Sequence, residues 1–259
     1  MHKGHENYKE LVLRLAKTDF KLRYHGNVLG YLWAIIKPLS MFTILNFVFS
    51  SIFNFKNSGV PFYSLELLTA LLLFQFFSEG TMNGMQALVA KSQLVTKIYV
   101  PKWTIVLAST LNSFFIFGTN LVVLTLFFSV NHKTPTLMGI LSFLFYAVLL
   151  YILVIAFAFL SAAFYVRFRD LGTIWEVLLS VLMYAAPIVY PLSVIPDNLQ
   201  RLLLINPLAF IINFAKQGLI YGIYAKPEQI FILVLGVLLF LVVAILVFNK
   251  FQKKVAEYI

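Results

Sequence analysis

The sequence predicts an all-α integral membrane protein of six transmembrane helices, with an amphipathic interfacial helix at its N-terminus and outer re-entrant helices. Three observations predict it. Of 259 residues, 61% are hydrophobic and 12% charged, with a mean hydropathy of +0.90, whereas a soluble domain carries about 25% charged residues. The apolar residues run in blocks near or above the roughly 18–20 needed to cross a bilayer. The basic residues gather at alternate ends of those blocks. Lys3, Lys9, Arg14, Lys17, Lys21 and Arg23 precede the first; Lys91, Lys97 and Lys102 lie between the second and third; Arg167 and Arg169 lie between the fourth and fifth; Lys250, Lys253 and Lys254 follow the last. The opposite loops hold only Lys56, Lys133, Arg201, Lys216 and Lys226. That positive-inside alternation predicts a multi-pass chain of a cytoplasmic membrane with both termini in the cytoplasm.

Residues 7–24 read as a helix on the membrane surface. On a 3.6-residue wheel Tyr8, Leu11, Val12, Leu15 and Leu22 share one face, while Glu10, Arg14, Lys17 and Lys21 share the other. Asp19 falls within the apolar face and needs a partner, either Arg23 one turn on or another segment. The first span is predicted at 29–54, kinked at Pro38 with Lys37 snorkelling to the interface. Asn54 to Pro61 makes an outer loop. The span at 62–90 carries Glu66, Glu79, Gly80 and Gly84, so it faces protein or a water-filled path. Spans follow at 103–129 and 137–165, joined by an outer turn from Asn131 to Pro135. A fifth covers 172–190. Pro187, Pro191, Pro196 and Pro207 then break the chain into pieces too short to cross, and 187–222 reads as two short helices dipping into the outer leaflet. The last span is 228–248. No repeat or domain boundary is visible, so 1–259 reads as one membrane domain.

The chemistry is sparse. No phosphate-cradling GxxxxGK[ST] loop, HExxH or GxSxG occurs. Without Cys, neither disulfides nor thiolate metal sites can form. His2, His5, His25 and His132 are scattered, so no metal site is expected. Basic residues hugging span ends, with no long basic run, argue against nucleic acid. A polar stretch of about 25 residues before any apolar run argues against a cleavable signal peptide. Glu66 and Glu176 are placed near interfaces, and Glu79 deeper, as a polar lining or a structural contact. Phe74, Phe76, Phe77, Phe114, Phe115 and Phe117 are expected to fill the core, with a glycan-stacking lining as the alternative.

Four segments together resemble the permease subunits of ABC type 2 exporters of polysaccharides and polyol phosphates. They are DFKLRY at 19–24 with LGYLWAIIKPL at 29–39; KSQLVTKIYVPK at 91–102; VRFRDL at 166–171; and APIVYPLSVIP at 186–196 with NPLAFIINFAKQGLIYG at 206–222. Their order covers nearly the whole chain. Departures from the pattern are Lys216 in place of a frequent Arg, Asn27 in place of Ser or Thr, and Val106 in place of a second proline. Replacing Arg by Lys loses bidentate recognition, which argues against a substrate-phosphate role at 216.

The resemblance implies a non-enzymatic permease that pairs with a second copy of itself and with two copies of a separate ABC ATPase. It has no cofactor of its own; ATP and Mg belong to the ATPase. Lys91, Lys97, Tyr99, Pro101 and Lys102 would form a cytoplasmic coupling loop docking into that ATPase. Asp19, Arg23, Tyr24 and Trp33 would lie at the inner mouth, and Arg169 and Asp170 would cap the fourth span and clamp an inner gate. Pro187, Tyr190, Pro196, Asn206 and Pro207 would belong to an outer re-entrant gate. The cargo would be a lipid-linked glycan such as O-antigen, with capsular polysaccharide or wall teichoic acid as alternatives. A secondary transporter or channel and a membrane enzyme acting on lipid carriers are the competing readings.

Overall fold

The computed structural model describes residues 8–24, 28–53, 60–97 and 100–252. Of the residues named above, His2, Lys3, His5, His25, Asn27, those at 54–59 of the outer loop, Tyr99, Lys253 and Lys254 lie outside the described residues. The described elements are helical: α1 (Tyr8–Tyr24), α2 (Trp33–Asn46), α3 (Tyr63–Ala90), α4 (Ser92–Lys97), α5 (Lys102–Val130), α6 (Leu137–Tyr165), α7 (Leu171–Ala185), α8 (Asp197–Leu203), α9 (Pro207–Tyr221) and α10 (Pro227–Phe251). A 3-10 turn, Gly30–Leu32, opens α2, and a π-helical stretch, Phe47–Ile52, extends it. Five segments are long and apolar enough to cross a membrane: Gly30–Ser50, Tyr63–Ala90, Lys102–Val130, Leu137–Tyr165 and Pro227–Phe251.

The helix α3 is the hub. Its central window is 78% buried, against 11% for α10, so α3 faces protein while α10 presents most of its surface outward. Small residues let α6 approach α3: a Cβ on Gly80 would stand 2.6 Å from Val154, and one on Gly84 would stand 2.4 Å from the Ala158 Cβ. This is the small-xxx-small contact that holds helices together where lipid supplies no hydrophobic drive. On the other side Phe76 stacks on Phe117 of α5 at 4.7 Å, and Asn83 donates to Ser113 at 3.1 Å. Phe77 lies edge-on to Trp175 of α7 at 6.2 Å, and Phe114 packs against Tyr151 at 5.2 Å. These rings fill the core.

Contacts fix two ends of the bundle. At the basic end, Phe159 meets Phe248 and Phe164 meets Phe251, so α6 and α10 run in the same direction. There the Lys102 ammonium donates to the Gln252 carbonyl. At the far end, Phe62 meets Tyr221, and a Cβ on Gly139 would stand 2.7 Å from the Gly218 carbonyl. The same-direction run of α6 and α10 obliges the chain between them to return across the bundle.

That return differs from the predicted helical span at 172–190. Trp175 of α7 stacks on Phe157 at 3.9 Å and donates to Thr81 at 3.0 Å, which seats α7 against α3 and α6. The helix stops at Ala185, having covered about 22 Å of the roughly 30 Å hydrocarbon core. Pro187 is the reason: the residue before a proline is pushed out of the α region, and Ala186 sits at φ −118°, ψ 153°. Residues 186–190 continue as buried irregular chain. Such backbone is tolerated at depth only when its polar groups are satisfied inside the protein. Side chains serve two of its carbonyls, Lys216 donating to that of Pro187 at 2.8 Å and Tyr63 to that of Val189 at 2.7 Å, while the Tyr190 hydroxyl reaches back to the Tyr184 carbonyl of α7 at 2.6 Å.

Beyond this segment the two predicted short helices are present as α8 and α9, meeting at 111°. Pro196 occupies the N-cap position of α8. Asn206 caps α9, its side chain accepting from the Leu208 N–H at 3.0 Å, with Pro207 at the first turn where a missing N–H costs nothing. Gly222, at φ +70°, ends α9 in the left-handed conformation that glycine adopts without strain.

The N-terminal helix runs alongside α5 rather than flat across the bundle's end. Tyr8 meets Trp103 and Phe20 meets Phe115, and both pairs are 12 residues apart (20 − 8 and 115 − 103). Contact therefore lasts about 18 Å at 1.5 Å per residue. Val12 and Ala16 are buried against Ala108, while Leu22, which shares the predicted apolar face of Val12, is 64% exposed.

Candidate functional site

Where α1, α2, α3 and α5 meet, a cavity of about 310 Å³ is lined by Arg23, Trp33, Ala34, Lys37, Gln75, Glu79 and Ile116. Glu79 lies 11 residues before the end of α3 (90 − 79), about 16 Å along the helix. A carboxylate at that depth needs partners. It has three: Arg23 at 3.1 Å, Lys37 at 3.9 Å and the Gln75 amide at 3.3 Å. Two cations share one carboxylate, leaving this trio a net charge of +1. Trp33, at the start of α2 and 46% exposed, adds a ring face. A positively charged pocket with one aromatic wall can hold an anionic group.

Asp19 takes the second of its two expected partners. It accepts from Lys91 at the C-terminal end of α3, while Arg23 turns to Glu79 instead of pairing with Asp19. Lys91 also reaches Ser109 of α5 at 3.4 Å. Two ion pairs one turn apart on α1 thus clamp that helix to α3. Tyr24 closes α1.

Next to this clamp, the predicted coupling loop contains α4. Lys91 leads directly into it, and Leu94 and Val95 pack with Val100 and Trp103 onto the core at the basic end. Gln93 and Thr96 point outward, and Lys97 is its last residue. Pro101 sits at the N-cap of α5, its carbonyl accepting from the Thr104 hydroxyl at 2.6 Å and from the Thr104 N–H at 3.0 Å. In the loop between α6 and α7, residues 167–170 are exposed while Val166 is buried. Arg169 lies over the Tyr165 ring at 5.8 Å, and Asp170 occupies the N-cap position of α7 rather than the end of α6. Glu176 lies on the exposed face of α7.

At the far end, Pro187 meets one buried ion pair: Lys216, which donates to its carbonyl, lies 3.1 Å from Glu66. Nothing in the sequence pairs Glu66 with Lys216; Lys37 is expected to snorkel to the interface, and Gln75 carries no expectation. Gln75 and Glu79 are spaced i, i+4 on one helix face, a signal that could have paired them.

Similarity to known proteins runs through these same elements. Residues 10–220, from α1 to the end of α9, match the family described as ABC-2 type transporter. The O-antigen export system permease protein RfbA of Klebsiella pneumoniae is 26% identical over 248 residues, covering 96% of this chain and 94% of that protein. RfbA of Myxococcus xanthus is 26% identical over 216 residues, covering 83% and 81%. The polysialic acid transport protein KpsM of Escherichia coli is 25% identical over 219 residues, covering 85% and 84%. With a family match over most of its length and apolar helices enough for several crossings, this multi-pass membrane chain belongs to the ABC-2 type transporter family.

Proposed function

We propose that the chain is the membrane-spanning permease of an ATP-driven exporter that moves a lipid-linked polysaccharide of the O-antigen type across a bacterial cytoplasmic membrane. It works as two copies with two copies of a separate ABC ATPase, which binds ATP and Mg. The basic end, with both termini, lies in the cytoplasm, as the positive-inside pattern requires. Residues 187–222 form a re-entrant gate on the outer side.

The observation that carries this reading is the contact chain from α4 to the cavity. The ATPase docks on the outward face of α4 and the residues after it, including Lys97 and Tyr99. Movement of α4 pulls Lys91, Lys91 pulls Asp19, and one turn along α1 is Arg23 at the cavity wall. The cavity accepts the anionic part of the lipid-linked substrate through Arg23, Lys37 and Trp33. Arg169 and Asp170, beside the foot of α7, hold the inner gate.

The test is co-purified permease and ATPase in vesicles. Asp19→Asn and Lys91→Met should each leave ATP hydrolysis running while export falls at least about tenfold, and the Asp19→Lys/Lys91→Asp exchange should restore part of it. Full export in both single variants would sink the coupling route. Ion-driven flux from the chain without any ATPase would sink the exporter reading and favour a secondary transporter. The likeness to a polysialic acid transport protein supports a second cargo, an acidic capsular polysaccharide; transport assays with neutral and acidic polymers separate the two.

A further inference from the structure

We infer that residues 186–190 form a strap closing the far end of the bundle, latched by the Lys216–Glu66 ion pair, and that the strap opens as a unit when that pair is broken. The inference does not depend on the cargo or on the ATPase.

The strap is buried, with Ala186, Ile188 and Val189 at most 1% exposed. Among the described residues, its internal backbone bonding is one contact, Ile188 N–H to the Ala186 carbonyl at 2.7 Å. Everything else that holds its backbone is a side chain from elsewhere in the fold: Lys216 from α9 on Pro187, and Tyr63 from α3 on Val189. Tyr190 anchors the outgoing end to the last turn of α7. No helix has to unravel for the strap to leave. Its two ends are already non-helical, at Ala186 and at Pro191, so turn dihedrals can absorb the motion.

The latch gives this motion two states rather than a continuum. The Lys216 ammonium serves the Pro187 carbonyl and the Glu66 carboxylate at once, and both residues are nearly fully buried, at 1% and 2% exposure. Neither charge is stable there alone, so the contact to the strap and the charge pairing persist or fail together. Position 216 therefore acts as a positioning residue for the strap, consistent with a lysine serving where bidentate phosphate recognition is absent.

The absence of native cysteine makes the test clean. In the full chain purified in detergent, Ile188→Cys supplies the sole thiol, and its labelling by a charged, hydrophilic maleimide reports strap opening. Combined with Glu66→Gln/Lys216→Met, which removes both charges but keeps the bulk, labelling should accelerate by about tenfold or more. The unfolding temperature should stay close to that of Ile188→Cys alone, because replacing both members of a buried pair is often neutral. Ala156→Cys, buried in α6 away from the strap, should label at an unchanged rate in the same background. Equal Ile188→Cys rates with and without the latch would overturn the inference. So would a parallel rise at Ala156→Cys, which would mean general loosening. If that double variant does not fold, Glu66→Leu/Lys216→Leu, which likewise leaves neither charge stranded, replaces it, with the same expected direction and the same overturning result.

Discussion

At the basic end Arg23, Lys37 and Glu79 face a cavity with side chains 31%, 71% and 15% exposed, whereas at the far end Lys216 and Glu66 meet at 1% and 3%. Both clusters tie α3 to a neighbouring element, yet their surroundings give them different energetics. A partly solvated pair is screened and can exchange partners at little cost. A buried pair penalises the loss of either member heavily, because the survivor is a stranded charge. The first arrangement suits a site that must accept an incoming anion. The second suits a part that stays shut until it opens completely.

The comparison predicts a graded series. The largest effect belongs to Lys216→Met alone, which strands Glu66 and should cost about 3–5 kcal/mol, read as a fall in thermal unfolding temperature. A small loss there, comparable to changes at the basic end, would erase the distinction between the clusters. Next comes Gly84→Ala at the α3–α6 crossing that joins the two ends. Its Cβ would meet the Ala158 Cβ at 2.4 Å and Thr110 at 2.9 Å, and overpacking of this kind costs about 1–3 kcal/mol in the same measurement. Arg23→Gln should lower stability by no more than about 1 kcal/mol while reducing export about tenfold, a split between unfolding and transport assays that Lys216→Met should not show. Smallest is Arg14→Ala, which breaks the exposed pair with Glu10 and should shift unfolding by only a few tenths of a kcal/mol.

Much of the architecture was legible along the chain. The spans at 62–90, 103–129 and 137–165 coincide closely with α3, α5 and α6, because the bilayer imposes a length of apolar sequence that composition reveals directly. The prolines and Asn206 marked the broken region and its caps, since their backbone restrictions are local. The fifth span was legible in extent but not in form. Pro187 ends α7 at Ala185, and the segment continues as buried irregular chain with carbonyls served from α3 and α9. The partners of Asp19, Glu79 and Glu66 were not legible either. A charge within an apolar face announces that it needs a partner, but a residue 72 positions away, as Lys91 is from Asp19, leaves no periodic trace.

The sequence by itself determined an all-helical membrane chain, its family and the location of its irregular segment, because hydropathy, proline and glycine act on their own stretch of backbone. Only the tertiary structure decided which charges meet and how deeply. That outcome depends on the close approach of α3 and α6 at Gly80 and Gly84, and on α1 lying along α5. Burial sets the cost of separating charges, and burial is a property of the assembled bundle.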